Sequence, residues 1–170
     1  MNKKILVAYA TKYGATAEIA EAIGQTLAEA GQTVEVLPVE RVDDLSPYSA
    51  VVLGSAVYAG NWRKEAVDFL EEHEQALTER LVWFFSSGPT GEGDPVELMH
   101  GWRFPEAQLS IADRVGPGDI AFFHGKIDTD ELNLGERLLV KAIRAQVGDY
   151  RDWHAIRAWA SGIAQALSQA

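Results

Sequence analysis

The sequence predicts a doubly wound α/β domain built on a five-stranded parallel sheet. Two observations carry this. Five apolar runs of strand length recur along the chain, and helical patterns separate most of them. The runs are also close to continuously apolar instead of alternating, as expected where helices cover both faces of a sheet.

The elements follow in order. "KKILVAYA" (3–10) is the first strand. Residues 16–30 have a helical period, with Ile19, Ile23 and Leu27 on one face and Gly31 as the stop. "TVEVLPV" (33–39) is the second strand and "SAVVLGSAVY" (49–58) the third. Residues 62–77 read as one helix with Ala66, Phe69, Leu70 and Leu77 inward. "RLVWFFSS" (80–87) is the fourth strand, with Trp83, Phe84 and Phe85 in the core. Residues 94–112 read as a helix broken near Phe104-Pro105. "GDIAFFHG" (118–125) is the fifth strand. A segment over 125–151, with a short helical pattern "GERLLVKAIRA", then delays the last helix. That helix starts at Asp152, a good N-cap, and carries Ile156, Trp159, Ile163 and Leu167 inward.

The chain of 170 residues is expected to form a single domain over 1–170, long enough for a real core. Met1-Asn2-Lys3-Lys4 precede only a short apolar run, so neither a signal segment nor a membrane span is expected. With no cysteine, thiolate chemistry and disulfides are excluded, and a cytoplasmic location is the simplest reading. The net charge of −10 disfavours nonspecific binding to nucleic acid or anionic lipid. It fits either docking on a basic partner or solubility alone.

The chemistry is expected in three loops. After the first strand come Thr11, Lys12, Tyr13, Gly14, Ala15 and Thr16, and a helix begins at once. Amides at a helix start have no intrahelical acceptor, and the helix dipole favours an anion there. Gly14 and Ala15 allow close backbone approach, and Thr11 and Thr16 add hydroxyls, which together make a cradle for one phosphate. Alone, the loop reads equally well as a plain turn capped by Thr16. Neither a Walker loop nor a dinucleotide fingerprint is present, so a monoester is expected over a triphosphate or pyrophosphate. After the third strand come Ser55, Ala56, Val57, Tyr58, Ala59, Gly60, Asn61 and Trp62; Tyr58 and Trp62 offer faces for a flat ring. After the fourth come Ser86, Ser87, Gly88, Pro89, Thr90 and Gly91, a small loop able to approach a ring edge. Loops at the carboxyl ends of parallel strands share one rim, where ligands bind. Their sum describes a planar heterocycle with a single phosphate tail.

At these residues the sequence resembles the flavodoxins, whose phosphate motif is close to [ST]-x-T-G-x-T. Here it reads Thr11-Lys12-Tyr13-Gly14-Ala15-Thr16, with Tyr13 where a threonine is usual. The resemblance implies strand order 2-1-3-4-5, with FMN at the switch point. It also implies an electron carrier or oxidoreductase working with a redox partner protein or a quinone. "ATKYGATAEIAEAI", "VVLGSAVYAGNWRKEAVDFL" and "DYRDWHAIRAWA" are further similar to the flavodoxin-domain subgroup that includes the menaquinone-dependent protoporphyrinogen oxidase. That enzyme carries a basic extra segment after the fifth strand that matters for activity. Here the segment is charge-balanced: Lys126, Arg137, Lys141, Arg144 and Arg151 stand against Asp128, Asp130, Glu131, Glu136 and Asp149. A flavin-free binding module on the same rim is the alternative from another class.

Other chemistries lack their signatures. His73, His100, His124 and His154 have no paired metal-ligand spacing, and Ser86-Ser87-Gly88 is not a nucleophile elbow. Glu65, Asp68, Glu71, Glu72 and Glu74 read as a solvated helix face or, with Glu92 and Asp94, as a docking surface for a basic redox partner.

Overall fold

The computed structural model describes residues 4–170; Lys3, which the sequence reading puts in the first strand, lies outside the described residues with Met1 and Asn2. Five parallel strands form the main sheet: β1 (Lys4–Ala10), β2 (Val34–Pro38), β3 (Tyr48–Tyr58), β5 (Leu81–Ser87) and β6 (Ile120–Phe123). Their order is β2-β1-β3-β5-β6, which is 2-1-3-4-5 when the parallel strands alone are counted. A short strand, β4 (Asn61–Trp62), pairs antiparallel with the end of β3.

The pleat explains why the strands read as continuous apolar runs. Ile5 and Val7 point into a core with α1 (Ala15–Glu29) and α7 (Trp153–Ser168). Leu6 and Ala8 point into the opposite core, formed with α2 (Lys64–Glu72), α3 (Glu74–Thr78) and α5 (Leu109–Val115). Trp83, Phe84 and Phe85 divide between the same two faces, each with 6 % exposure or less. Ile19, Ile23 and Leu27 are fully buried on α1, and Ile156 and Ile163 are buried on α7. Asp152 caps α7 by accepting from the Ala155 N–H at 3.0 Å.

Two helices differ from expectation. The helix expected over 62–77 begins only at Lys64, because Ala59 and Gly60, with φ 51° and 77°, turn the chain tightly back into β4, and it is interrupted at His73, whose φ of −103° and ψ of 12° depart from the helix. The one expected over 94–112 is a single turn, α4 (Pro95–Leu98), then irregular chain and a 3-10 turn (Glu106–Gln108) that leads into α5. His100 and Gly101 adopt left-handed φ of 55° and 89°, and Pro105 cannot continue a helix.

Residues 125–151 form an insert with a closed neck. β7 (Lys126–Ile127) pairs antiparallel with β8 (Gly148–Asp149), and the Tyr150 N–H donates to the Gly125 carbonyl at 3.1 Å. The insert carries α6 (Leu134–Ala142), started by a capping box between Asn133 and Glu136. Among the described residues, no helix is long and apolar enough to cross a membrane.

Candidate functional site

The carboxyl ends of β1, β3 and β5 meet at one cleft of about 510 Å³. Its fourth wall is the insert. A volume near this size suits a cofactor or drug-sized ligand.

The first loop presents free backbone donors. The first helical bond of α1 runs from the Glu18 N–H to the Gly14 carbonyl at 3.2 Å, so the amides of Ala15, Thr16 and Ala17 have no acceptor within the helix. Gly14 takes φ 92°, and its N–H donates to the Thr11 hydroxyl at 3.0 Å. Thr11, Tyr13, Ala15 and Thr16 line the cleft. The Lys12 ammonium and the Tyr13 hydroxyl turn aside to one carboxylate, Glu136 on α6. Lys12 Nζ lies 2.8 Å from it, and the Tyr13 hydroxyl donates to the same oxygen. These two donors, Lys12 first, hold the Glu136 carboxyl well below the ordinary glutamate value, at about 2.

The second loop gives Ala56, Val57, Tyr58 and Ala59 to the cleft. Tyr58 is 45 % exposed there, and burial pushes its phenol upward. Trp62 differs from expectation: it is 4 % exposed and lies in the core, not in the cleft. Its indole N–H donates to the Ser86 hydroxyl at 2.8 Å, and its ring packs edge-on against Phe84 and Phe104. Pairing of β4 with β3 turns that ring inward. Asn61 is exposed beside it, and Gly60 forms the turn. Ser55 is fully buried, donating to the Ala56 carbonyl and accepting from the Arg63 N–H, so it shapes the loop from beneath.

From the third loop, Ser87 and Gly88 line the cleft. Ser86 is buried under Trp62. Pro89, Thr90 and Gly91 lie past the cleft, where the Pro89 carbonyl accepts from the Gly125 N–H at 2.8 Å. The buried His124 ring sets Nδ1 3.1 Å from the Pro89 carbonyl and Nε2 2.5 Å from that of Gly93, pinning this loop to the root of the insert. A Cβ at Gly125 would stand 2.9 Å from the Gly88 carbonyl oxygen, so only glycine lets the two backbones come this close.

Sequence reasoning missed the insert's share of the wall, which includes Lys126, Ile127, Asp128, Glu131, Leu132, Glu136, Leu139, Val140 and Ile143. The pattern "GERLLVKAIRA" marked the helix; nothing local marked its packing partner. Leu139 and Ile143 are 60 % and 65 % exposed while facing the cleft, so apolar surface there awaits a cover.

A protein family described as "Flavodoxin domain" matches residues 6–153. No curated protein matches the sequence. Among solved structures, a flavodoxin from the domain Archaea has a TM-score of 0.64 at 15% identity, over 97% of this chain and 99% of that one. A Streptococcus pneumoniae TIGR4 flavodoxin has a TM-score of 0.61 at 16% identity, over 95% and 98%. A Fusobacterium nucleatum flavodoxin variant bound to flavin mononucleotide has a TM-score of 0.52 at 18% identity, over 70% and 68%. At these identities each is a likeness of fold.

Proposed function

The chain belongs to the flavodoxin domain family, and from that premise we propose that it is an FMN-binding redox protein, an electron carrier or oxidoreductase, acting as one domain in the cytoplasm with a redox partner protein or a quinone. The observation that carries the reading is the convergence of three strand-end loops on one cleft, with unpaired helix-start amides at one end.

The residues fit the group. The amides of Ala15 to Ala17 and the hydroxyls of Thr11 and Thr16 suit one phosphate. Tyr58, Ala56, Val57, Ser87 and Gly88 suit a flat ring, with backbone groups near its polar edge. Bound there, a flavin supplies one- or two-electron transfer, and the protein supplies position, exclusion of water and a tuned field. Leu139, Val140 and Ile143 keep water from the side that the loops leave open.

Titration with FMN, FAD and riboflavin tests the reading. FMN is expected to bind tightest, because the described residues offer one phosphate-type turn and no adenosine site. Equal affinity for riboflavin removes the phosphate role of the first loop. Protein that neither arrives yellow nor binds any flavin is the flavin-free module instead.

A second reading is a protoporphyrinogen-oxidase-type dehydrogenase with a quinone acceptor. One observation favours it: the insert adds an apolar wall, Leu132, Leu139 and Ile143, to the flavin cleft.

A further inference from the structure

The insert is tied down unequally at its two ends. Its neck is held by the β7–β8 pairing and by Arg151, whose side chain is 4 % exposed. That guanidinium donates to the Ala15 carbonyl at 3.2 Å and to Asp149 at 2.7 Å, and it packs over the Trp153 ring. Its tip, α6, has almost no such support. Leu134, Leu138, Leu139 and Ile143 are all exposed by 60 % or more, so little apolar burial fastens the helix to the sheet. Within the insert, Arg137 Nε donates to the Thr129 carbonyl at 2.8 Å, but among the described residues the side-chain hydrogen bonds joining α6 to the domain outside the insert all end on the Glu136 carboxylate. Lys12 Nζ stands 5.2 Å from the Tyr13 ring centroid, so the two donors grip that carboxylate side by side.

We propose that Lys12, Tyr13 and Glu136 form a latch that holds α6 closed over the cofactor cleft, and that Tyr13 is a positioning residue for this lid and not a phosphate ligand. A ligand under Leu139 and Ile143 leaves only when α6 lifts. The latch therefore governs how long the ligand stays, whether or not it carries a phosphate. This role accounts for a tyrosine where the flavodoxin motif has a threonine: a threonine hydroxyl is too short to reach across to α6. The inference rests on the flavin reading for its ligand but not for its geometry.

The test uses Tyr13→Phe, Glu136→Gln and the double variant, in the full chain. Glutamine at the third helical position still completes the capping box, so α6 is retained. Two readouts are needed. The first is hydrogen exchange of the α6 amides in flavin-free protein, where each single variant is expected to lose protection relative to the β7–β8 neck. The second is dissociation of FMN and of riboflavin, each expected to quicken about tenfold, the scale of one charge-assisted hydrogen bond. The double variant is expected to lose more than either single, because Tyr13→Phe leaves the Lys12–Glu136 ion pair and Glu136→Gln leaves an acceptor for the Tyr13 hydroxyl. Unchanged α6 exchange in both single variants overturns the proposal. So does an effect confined to FMN, which makes Tyr13 a phosphate ligand, or tighter FMN binding in Glu136→Gln, which makes Glu136 a repelling charge. Should the parent protein bind no flavin, the functional reading fails while the exchange experiment still decides the latch.

Discussion

The Tyr13 hydroxyl, on the turn after the first strand, donates to the Glu136 carboxylate 123 residues further along the chain. The contact ties the turn after the first strand of a flavodoxin domain to an insert that follows its fifth parallel strand. It makes the cleft a four-walled site instead of a three-loop rim.

That contact has a defined pH window. Glu136 is held at about 2, below its ordinary 4.5, so its ion pairing is fully present above 4.5 and is lost as the pH falls toward 2. Lys12 is raised by its bond to Glu136, and Tyr13 is raised by burial and then by Glu136, so neither donor sets the acid edge of the window. Protection of α6 amides, corrected for intrinsic exchange, is expected to be flat from pH 5 to 9 and to fall below 4.5. Loss of protection near neutrality would assign the contact to another group.

Replacing Thr11 and Thr16 together by alanine is expected to weaken FMN and leave riboflavin nearly unchanged. Hydrogen bonds to a charged group are worth about 1.5–3 kcal/mol each. Thr11 also accepts the Gly14 N–H, so part of the loss comes from loosening the turn. Equal loss for both flavins, measured by titration, would point to the turn's shape and away from phosphate contact.

The two aromatic residues of the second loop are expected to separate cleanly. Tyr58→Leu removes a cleft face and should cost flavin binding about 0.5–1.5 kcal/mol with little change in melting temperature. Trp62→Ala empties a core site and removes the donor to the Ser86 hydroxyl, so a stability loss of about 3–5 kcal/mol is expected from denaturant unfolding. A tryptophan-quenching assay keyed to Trp62 as the stacking residue should therefore report folding, not ring contact.

These contrasts show what the sequence carried. The five strands were legible because burial on both faces leaves unbroken apolar runs, as in Leu6-Val7-Ala8 and Val51-Val52-Leu53. The helix after the first loop was legible because Ile19, Ile23 and Leu27 repeat at its period. Trp62 was misassigned because residue type shows that a ring is present but not which way a two-residue strand turns it. The helix over 94–112 was overextended because a left-handed His100 is not a visible breaker, whereas Gly101 and Pro105 are. The role of Glu136 was hidden because local patterns specify a capping box and are silent on a partner more than a hundred residues away.

The insert's charges set the last prediction. A porphyrinogen is broad, apolar and fringed with carboxylates, so an enzyme turning it over needs cations facing an apolar wall. The wall is here, in Leu132, Leu139 and Ile143, but the unpaired charges beside it are Asp128 and Glu131, with Lys126 the insert's one cation lining the cleft among the described residues. Lys12 does not offset them, because it and Glu136 neutralise each other. Arg137, Lys141 and Arg144 border a separate groove with Thr129 and Asp130. Like charges brought together in a partly dry cleft repel more strongly than in water. Anaerobic protoporphyrinogen with a quinone acceptor, followed by porphyrin fluorescence, is therefore expected to show slow or absent turnover, while a reductase or quinone alone exchanges electrons with the FMN form. Replacing Asp128 and Glu131 by lysine should raise any porphyrinogen turnover, because it reverses the two charges that face the substrate's carboxylates. Robust flavin-dependent turnover by the unaltered protein would overturn the charge argument and restore the oxidase reading.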